Sequence, residues 1–235
     1  AAGIAINTGK SIDIYKKAGS PKEFIKSPEY KNLFKNSTKT YNKNINSKTL
    51  SIIGHSRLVT NGYQSENQNN QPVVTPACVG VHNGIITNHA QLWHENKHLK
   101  KETELDTEIF LKILKDKIDN GINLKTSLKE IYSQMIGTAS MAIFFEEYSN
   151  LLLCTNTGSL FYIKNKEKGL FLFASERFIL KKFLASNILG IKIFESDIKQ
   201  LNSFQAVNLN LENNEHDFFS FDENKDNNKQ KVRAL

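Results

Sequence analysis

The chain has 235 residues and a mass of 26.7 kDa, with 31 Lys+Arg against 24 Asp+Glu and a formal net charge of +7. No run approaches the roughly 18 apolar residues of a membrane-crossing helix, and only two cysteines, Cys78 and Cys154, are present, which excludes a disulfide framework or a cysteine-rich zinc site. Residues 16–48 hold nine lysines and two acids, the whole net charge, so the basicity is one local segment.

Along the chain, Ala2–Ile6 reads as a short strand starting almost at the terminus. No charged stretch leads into a long apolar run there, so no secretory signal is expected and a cytoplasmic setting is. Asn7–Lys48 is rich in Lys, Asn, Ser and Thr and predicts a long surface excursion with brief helical turns at Phe24-Ile25 and Leu33-Phe34. Tyr30, Phe34 and Tyr41 interleave its lysines, a composition that also suits stacking on single-stranded nucleic acid. Leu50–Gly62 predicts a strand ending in a turn, followed by a polar loop and two further strands over Gln71–Val74 and Val79–Ile86.

Leu105, Ile109, Phe110, Ile113, Leu114 and Ile118 recur at helical spacing, as do Leu124, Leu128, Ile131, Tyr132 and Met135. Short strands follow over Thr138–Phe145, Leu151–Thr155, Leu160–Ile163 and Leu170–Ala174, then a helix from Ser175. Strands over Gly190–Phe194, Asp197–Leu201 and Phe204–Leu211 complete the series. Both cysteines lie in apolar strands, as buried inert thiols do. The pattern predicts a layered α+β domain over 1–211 with largely antiparallel sheets. Residues 212–235 read as a polar linker or tail, with Phe218, Phe219 and Phe221 able to dock.

Four segments carry candidate chemistry: Ala2-Gly3-Ile4, Gly54-His-Ser-Arg57 with Thr60-Asn61-Gly62, His82-Asn83-Gly84 and Asp106-Thr-Glu108. The Arg57 fork suits a bidentate grip on a carboxylate, although an arginine before a turn is often a surface charge. Asn83-Gly84 is a turn signal, and equally a pair of donors for an oxyanion, the Asn amide and the Gly N–H. Asp106 is a favourable acid at a helix start beside Thr103, and equally an acceptor for an ammonium. Together they describe a site for a free amino acid whose side-chain carbonyl is attacked.

The order of these segments resembles a class II glutamine amidotransferase domain of the N-terminal-nucleophile type. The carriers are Gly54-His-Ser-Arg-Leu-Val-Thr-Asn-Gly62, His82-Asn-Gly-Ile-Ile-Thr-Asn88 and Leu105-Asp-Thr-Glu108, with Ala2-Gly-Ile4 at the start. Weaker echoes are Asn70-Gln-Pro72, Gly158-Ser-Leu160, Ala174-Ser-Glu176 and Glu195-Ser-Asp-Ile198. The texture is most like the glutaminase domain of glucosamine-6-phosphate synthase, and the likeness spans residues 2 to about 211.

The resemblance implies a four-layer αββα sandwich with two mostly antiparallel sheets. It implies that Arg57 binds the α-carboxylate of L-glutamine, Asp106 its α-ammonium, and Thr60 supports the pocket. The Asn83 side chain and the Gly84 N–H would hold the oxyanion. An N-terminal cysteine would attack the γ-amide with its own α-amine as base, giving glutamate and ammonia for an acceptor such as a sugar phosphate. A synthase domain or subunit to accept that ammonia is implied. No cofactor, metal, nucleic acid or membrane is.

Ala2 stands at the nucleophile position, behind Ala1, and carries no thiol. The chain as it stands is expected to bind glutamine without turning it over. Three explanations stand: an engineered replacement, a natural non-catalytic glutamine-binding or regulatory module, or a different true N-terminus. The intact clamp and oxyanion donors favour the first. Leu58 and Asn61 also depart from the family pattern and leave the acceptor open. The basic segment 16–48 lies outside all four motifs, so a contact with the synthase partner or a flap near the pocket is its expected role.

Overall fold

The computed structural model describes residues 1–43, 49–56, 69–145, 149–190 and 193–222. In chain order the elements are β1 (Ala2–Asn7), β2 (Ile12–Lys17), α1 (Pro21–Phe24), α2 (Pro28–Lys43), β3 (Ser51–Ser56), β4 (Val73–Thr75), β5 (Cys78–Ile86) and α3 (His89–Glu95). They continue with α4 (Asp106–Asp119), α5 (Leu124–Gln134), β6 (Gly137–Phe145), β7 (Asn150–Thr155), β8 (Leu160–Asn165) and β9 (Leu170–Ala174). The last are α6 (Arg177–Ala185), β10 (Lys199–Leu201), β11 (Gln205–Asn210) and β12 (His216–Ser220).

A six-stranded sheet in the order β12-β11-β7-β6-β5-β4 forms the centre. One face packs on α4 and α5 through Phe110, Leu114, Leu128, Ile131, Met141 and Leu152. The other packs on two three-stranded sheets, β2-β1-β3 and β10-β8-β9, through Ala5, Ile53, Val81, Phe144, Leu153, Leu160 and Val207. Outside those lie α1 and α2, which cover Ile4 and Ile6, and α6, which covers Ile163 through Leu180. The result is the expected αββα order. The second sheet, however, is split in two, and every strand pairing among the described residues is antiparallel.

The lysine-rich segment differs from expectation. It holds strand β2 and a 16-residue helix, α2. Lys31, Lys35, Lys39 and Lys43 recur every four residues, are exposed, and form one stripe on the outer face. The inner face is a ring ladder: Tyr15 on Phe24 at 4.9 Å, Phe24 on Tyr30 at 5.4 Å, and Tyr30 on Phe34 at 6.2 Å. A helix anchored by few apolar residues and coated with cations shows little periodicity by eye, since tertiary packing rather than local pattern sustains it. The short α3 was also unanticipated. Residues 190, 193 and 194 are not in a strand, contrary to the expectation for Gly190–Phe194.

The polar stretch after residue 211 continues the central sheet. β12 pairs with β11 from Leu209↔His216 to Gln205↔Ser220. Phe221 is 2% exposed and stacks on Tyr132 at 5.0 Å. Both thiols are buried, and burial pushes Cys154 up to about 12, consistent with an inert structural role.

Candidate functional site

β1 runs between β2 and β3, which sets Ala2 opposite Lys17 and Ser56, and Gly3 opposite Lys16 and His55. Ala2 is 5% exposed and packs with Ile4, Ile6 and Phe24 in the apolar cluster under α1. Gly3 lies against the segment before β4. A Cβ at position 3 would stand 2.0 Å from the Gln71 carbonyl oxygen and 2.8 Å from Pro72 Cδ. No side chain fits there. Lys16 fixes the same segment from the side, its Nζ donating to the carbonyls of Asn70 (2.9 Å) and Pro72 (3.0 Å). Burial lowers its pKa.

Gln71 links this segment to β5. Its Nε2 donates to the His82 carbonyl at 3.0 Å and its Oε1 accepts the His82 N–H at 2.6 Å, so the side-chain amide mimics a strand partner. His82 is 3% exposed. Its Nε2 lies 3.1 Å from the Thr138 carbonyl, which only accepts, so that nitrogen carries a proton. Its Nδ1 faces Thr107 Oγ1 at 3.1 Å and Asp106 Oδ1 at 3.8 Å.

Asn83 and Gly84 follow directly and are exposed, paired across to Ser140 and Ala139 of β6. Gly84 has φ +144°, and a Cβ there would stand 2.1 Å from the Thr138 carbonyl oxygen. Glycine is therefore required both by the backbone angle and by space. Asp106 opens α4, and its Oδ2 accepts the Ile86 N–H at 2.7 Å, so the carboxylate is pinned to the end of the strand that carries Asn83 and Gly84. Burial pushes the Asp106 carboxyl up; the facing His82 and the Ile86 N–H outweigh it and hold the group below its ordinary value.

The residue that organises the approach to α4 is Glu108, which sequence reasoning missed as a functional part. It is fully buried, accepts from Glu102 N (2.9 Å), Thr103 N (2.6 Å) and Thr103 Oγ1 (2.9 Å), and pairs with Lys112 at 3.0 Å. Thr103 thus serves Glu108 and not Asp106. Gln71 and Lys16 were missed as well; the only signal for Gln71 was the weak Asn70-Gln-Pro72 echo.

Among the expected site residues, Asn83, Gly84 and Asp106 share one strand end. Ala2 is joined to it through Gly3, Gln71 and His82. Arg57 and Thr60 lie outside the described residues. The register gives Ser56, which precedes Arg57 in sequence, as the partner of Ala2. Chemically, the described part offers a carboxylate and a strand end with an exposed amide. At position 2 it offers a methyl group with no nucleophile.

Comparison with known proteins places this arrangement. Glutamine–fructose-6-phosphate aminotransferase (isomerizing) from Bartonella quintana is 31% identical over 108 residues, 45% of this chain and 18% of that protein. The enzyme of the same name from Fusobacterium nucleatum is 26% identical over 216 residues, 90% of this chain and 31% of that protein. The chain therefore spans less than a third of the length of these relatives.

Among solved structures, glutamine phosphoribosylpyrophosphate amidotransferase from B. subtilis, complexed with ADP and GMP, superposes over 94% of this chain and 43% of its own. The TM-score is 0.64 at 20% identity, a likeness of fold. A glutamine aminotransferase class-II domain protein from Silicibacter pomeroyi covers 94% of this chain and 92% of its own, with TM-score 0.53 and 12% identity. Residues 55–182, more than half of the chain, match the glutamine amidotransferase domain family. With the antiparallel αββα order, that match establishes that the chain belongs to the class II glutamine amidotransferase domains.

Proposed function

We propose that this domain binds L-glutamine and, with Ala2 at the nucleophile position, does not hydrolyse it. The observation that supports the reading is the hydrogen bond from Ile86 N–H to Asp106, which holds that carboxylate at the end of the strand that carries Asn83 and Gly84; Asp106 would accept the α-ammonium, and Asn83 and Gly84 would hold the oxyanion. Arg57 would grip the α-carboxylate and Thr60 would support the pocket. With a cysteine at position 2 and a free α-amine, attack on the γ-amide would expel ammonia, and water would then release glutamate. The ammonia would pass to a synthase domain or subunit, with a sugar phosphate as the acceptor class, in the cytoplasm.

The test has two parts. Calorimetry on the unmodified chain should show saturable glutamine binding, weakened at least tenfold by Asp106→Asn. Ala2→Cys with Ala1 removed should release glutamate from glutamine. Absence of binding in the first part sinks the reading.

One observation favours a second reading, a natural non-catalytic glutamine-binding or regulatory module. Ala2 is seated in an apolar cluster with Ile4, Ile6 and Phe24, where a methyl group fits well. On that reading Ala2→Cys with a free amine binds glutamine and stays silent, alone and with its partner.

A further inference from the structure

Every second N–H of an antiparallel strand points to the same edge. Just past β5, the Thr87 N–H donates to the Ile136 carbonyl, on the β6 side. The N–H groups of His82 and Ile86 point to the opposite edge. The first donates to Gln71 Oε1 at 2.6 Å and the second to Asp106 Oδ2 at 2.7 Å. Gly84 lies midway between them, and the pairing of β5 with β6 runs through it without a slip, so its N–H belongs to that same edge. Among the described residues no side chain accepts from the Gly84 N–H.

That edge is uncovered because β4 stops short of it. β4 and β5 pair from Val73↔Gly80 to Thr75↔Cys78. Continued backward in the same register, the main chain would set Gln71 opposite His82 and Asn69 opposite Gly84, and would cover the Gly84 N–H. It does not continue so. The Gln71 side chain takes the place of a main-chain partner, its Nε2 donating to the His82 carbonyl at 3.0 Å while Oε1 accepts the His82 N–H. A side chain inserted between two backbones holds them farther apart than the roughly 4.8 Å of a strand pair. The displaced main chain has seats of its own. The Gln71 carbonyl faces Gly3, and Lys16 Nζ holds the Asn70 and Pro72 carbonyls. Asn69 turns aside, its Oδ1 accepting the Glu104 N–H at 3.2 Å.

One residue therefore sets two features of the site. Through its main chain Gln71 abuts Gly3, next to the nucleophile position. Through its side chain it closes the His82 N–H and leaves the next outward donor, Gly84, uncovered. His82 adds to this from the other strand. Its Nε2 holds the Thr138 carbonyl at 3.1 Å, the same oxygen that leaves no room for a Cβ at Gly84. An uncovered N–H between a satisfied amide and a pinned carboxylate is a preorganised donor for a carbonyl or oxyanion oxygen.

We infer that Gln71 is a positioning residue of this site. Its side-chain amide ends the β4–β5 ladder at His82 and so leaves the Gly84 N–H as an open donor for the side-chain carbonyl oxygen of the substrate. For its substrate the inference rests on the proposed glutamine reading; for the strand edge it does not.

Amide hydrogen exchange, resolved by NMR on the full chain, tests it. Without ligand, Gly84 should exchange at least tenfold faster than His82 and Ile86. Gln71→Met keeps the side-chain volume and removes both hydrogen bonds, and in it the His82 amide should exchange at least tenfold faster than in the unmodified chain. Saturating L-glutamine should slow Gly84 exchange at least tenfold in the unmodified chain. Gln71→Met should weaken glutamine binding at least fivefold by calorimetry. Gln71→Glu, which accepts from the His82 N–H but cannot donate to its carbonyl, should do the same and serves if Gln71→Met does not fold. Ile163→Ala, under α6, should lower the Tm and leave the Gly84 rate and the affinity unchanged; a merely structural Gln71 would behave like it. Any of three results overturns the inference: a Gly84 amide as slow as its two neighbours in the free chain, a Gly84 rate that bound glutamine does not change, or full glutamine affinity in the Gln71 variants. If the unmodified chain binds no glutamine, the functional reading fails; fast Gly84 exchange with opening of His82 in Gln71→Met then still upholds the role of Gln71 on the strand.

Discussion

The two ends of this sandwich treat their buried polar groups in opposite ways. At the Ala2 end, Gln71, His82, Thr107, Asp106 and Glu108 hydrogen-bond to one another or to backbone, and Lys16 is held by two carbonyls. At the His216 end, Lys164 lies over the Phe218 ring and His216 Nδ1 has no hydrogen-bond partner among the described residues. The hydrogen bonds named at the first end hold those groups in place. A frame left unsatisfied is stabilised by whatever supplies the missing partner.

The sharpest way to break the first end is Gly84→Ala. The added Cβ meets the Thr138 carbonyl at 2.1 Å in a backbone conformation of φ +144°. Strain and overpacking together should cost about 4 kcal/mol, read from urea unfolding. Next is His82→Leu, which leaves the Thr107 hydroxyl and the Thr138 carbonyl without the imidazole. A loss of about 3 kcal/mol is expected in the same measurement.

Lys16→Met removes the donor to two carbonyls and should cost about 1 kcal/mol at neutral pH. It should also remove an alkaline trend. The folded pKa of Lys16 is lowered from 10.5, so between that lowered value and 10.5 the unfolded chain binds the extra proton and stability rises with pH. A Tm series over alkaline pH in both proteins checks the sign.

The smallest effect sharpens the other end. Burial, then Lys164 and Lys166, push His216 down to about 4 when folded against an ordinary 6.5, so stability should fall as pH drops from 6.5 to 4. His216→Phe should flatten that limb while leaving the Tm at pH 7.5 nearly unchanged. Persistence of the full slope in the variant would show that other groups set it.

Much of this was legible in the sequence because local pattern and tertiary environment agree. The apolar repeats of α4 and α5 and the runs of β6 and β7 are largely buried where periodicity places them, and β8 and β9 form at the expected places as half-buried strands. The strand that carries Asn83 and Gly84 and the helix that Asp106 opens were legible as elements, but Asn83-Gly84, a turn signal in the sequence, lies inside the β5–β6 ladder. The α2 helix was hidden by its lysine stripe. β12 was hidden by a polar strand edge, although Phe221 marked it. The site frame was harder to see, because Gln71 and Lys16 act through main-chain groups distant in sequence. Such contacts leave no spacing to detect; Gln71 and His82 are eleven residues apart and meet only because β4 and β5 fold back on each other.

Gly3 carries a consequence for how such chains drift over time. Its hydrogen atom is all that the Gln71 carbonyl leaves room for, whatever stands at position 2. On the proposed function, neighbouring positions would therefore answer to different pressures: the second to chemistry, the third to shape. A lineage that abandons the thiol still loses its sheet if the glycine beside it changes, and the same holds at Gly84. The glycines of the motif persist as upkeep of the scaffold, so an inactive descendant would continue to look, letter by letter, like its working ancestor.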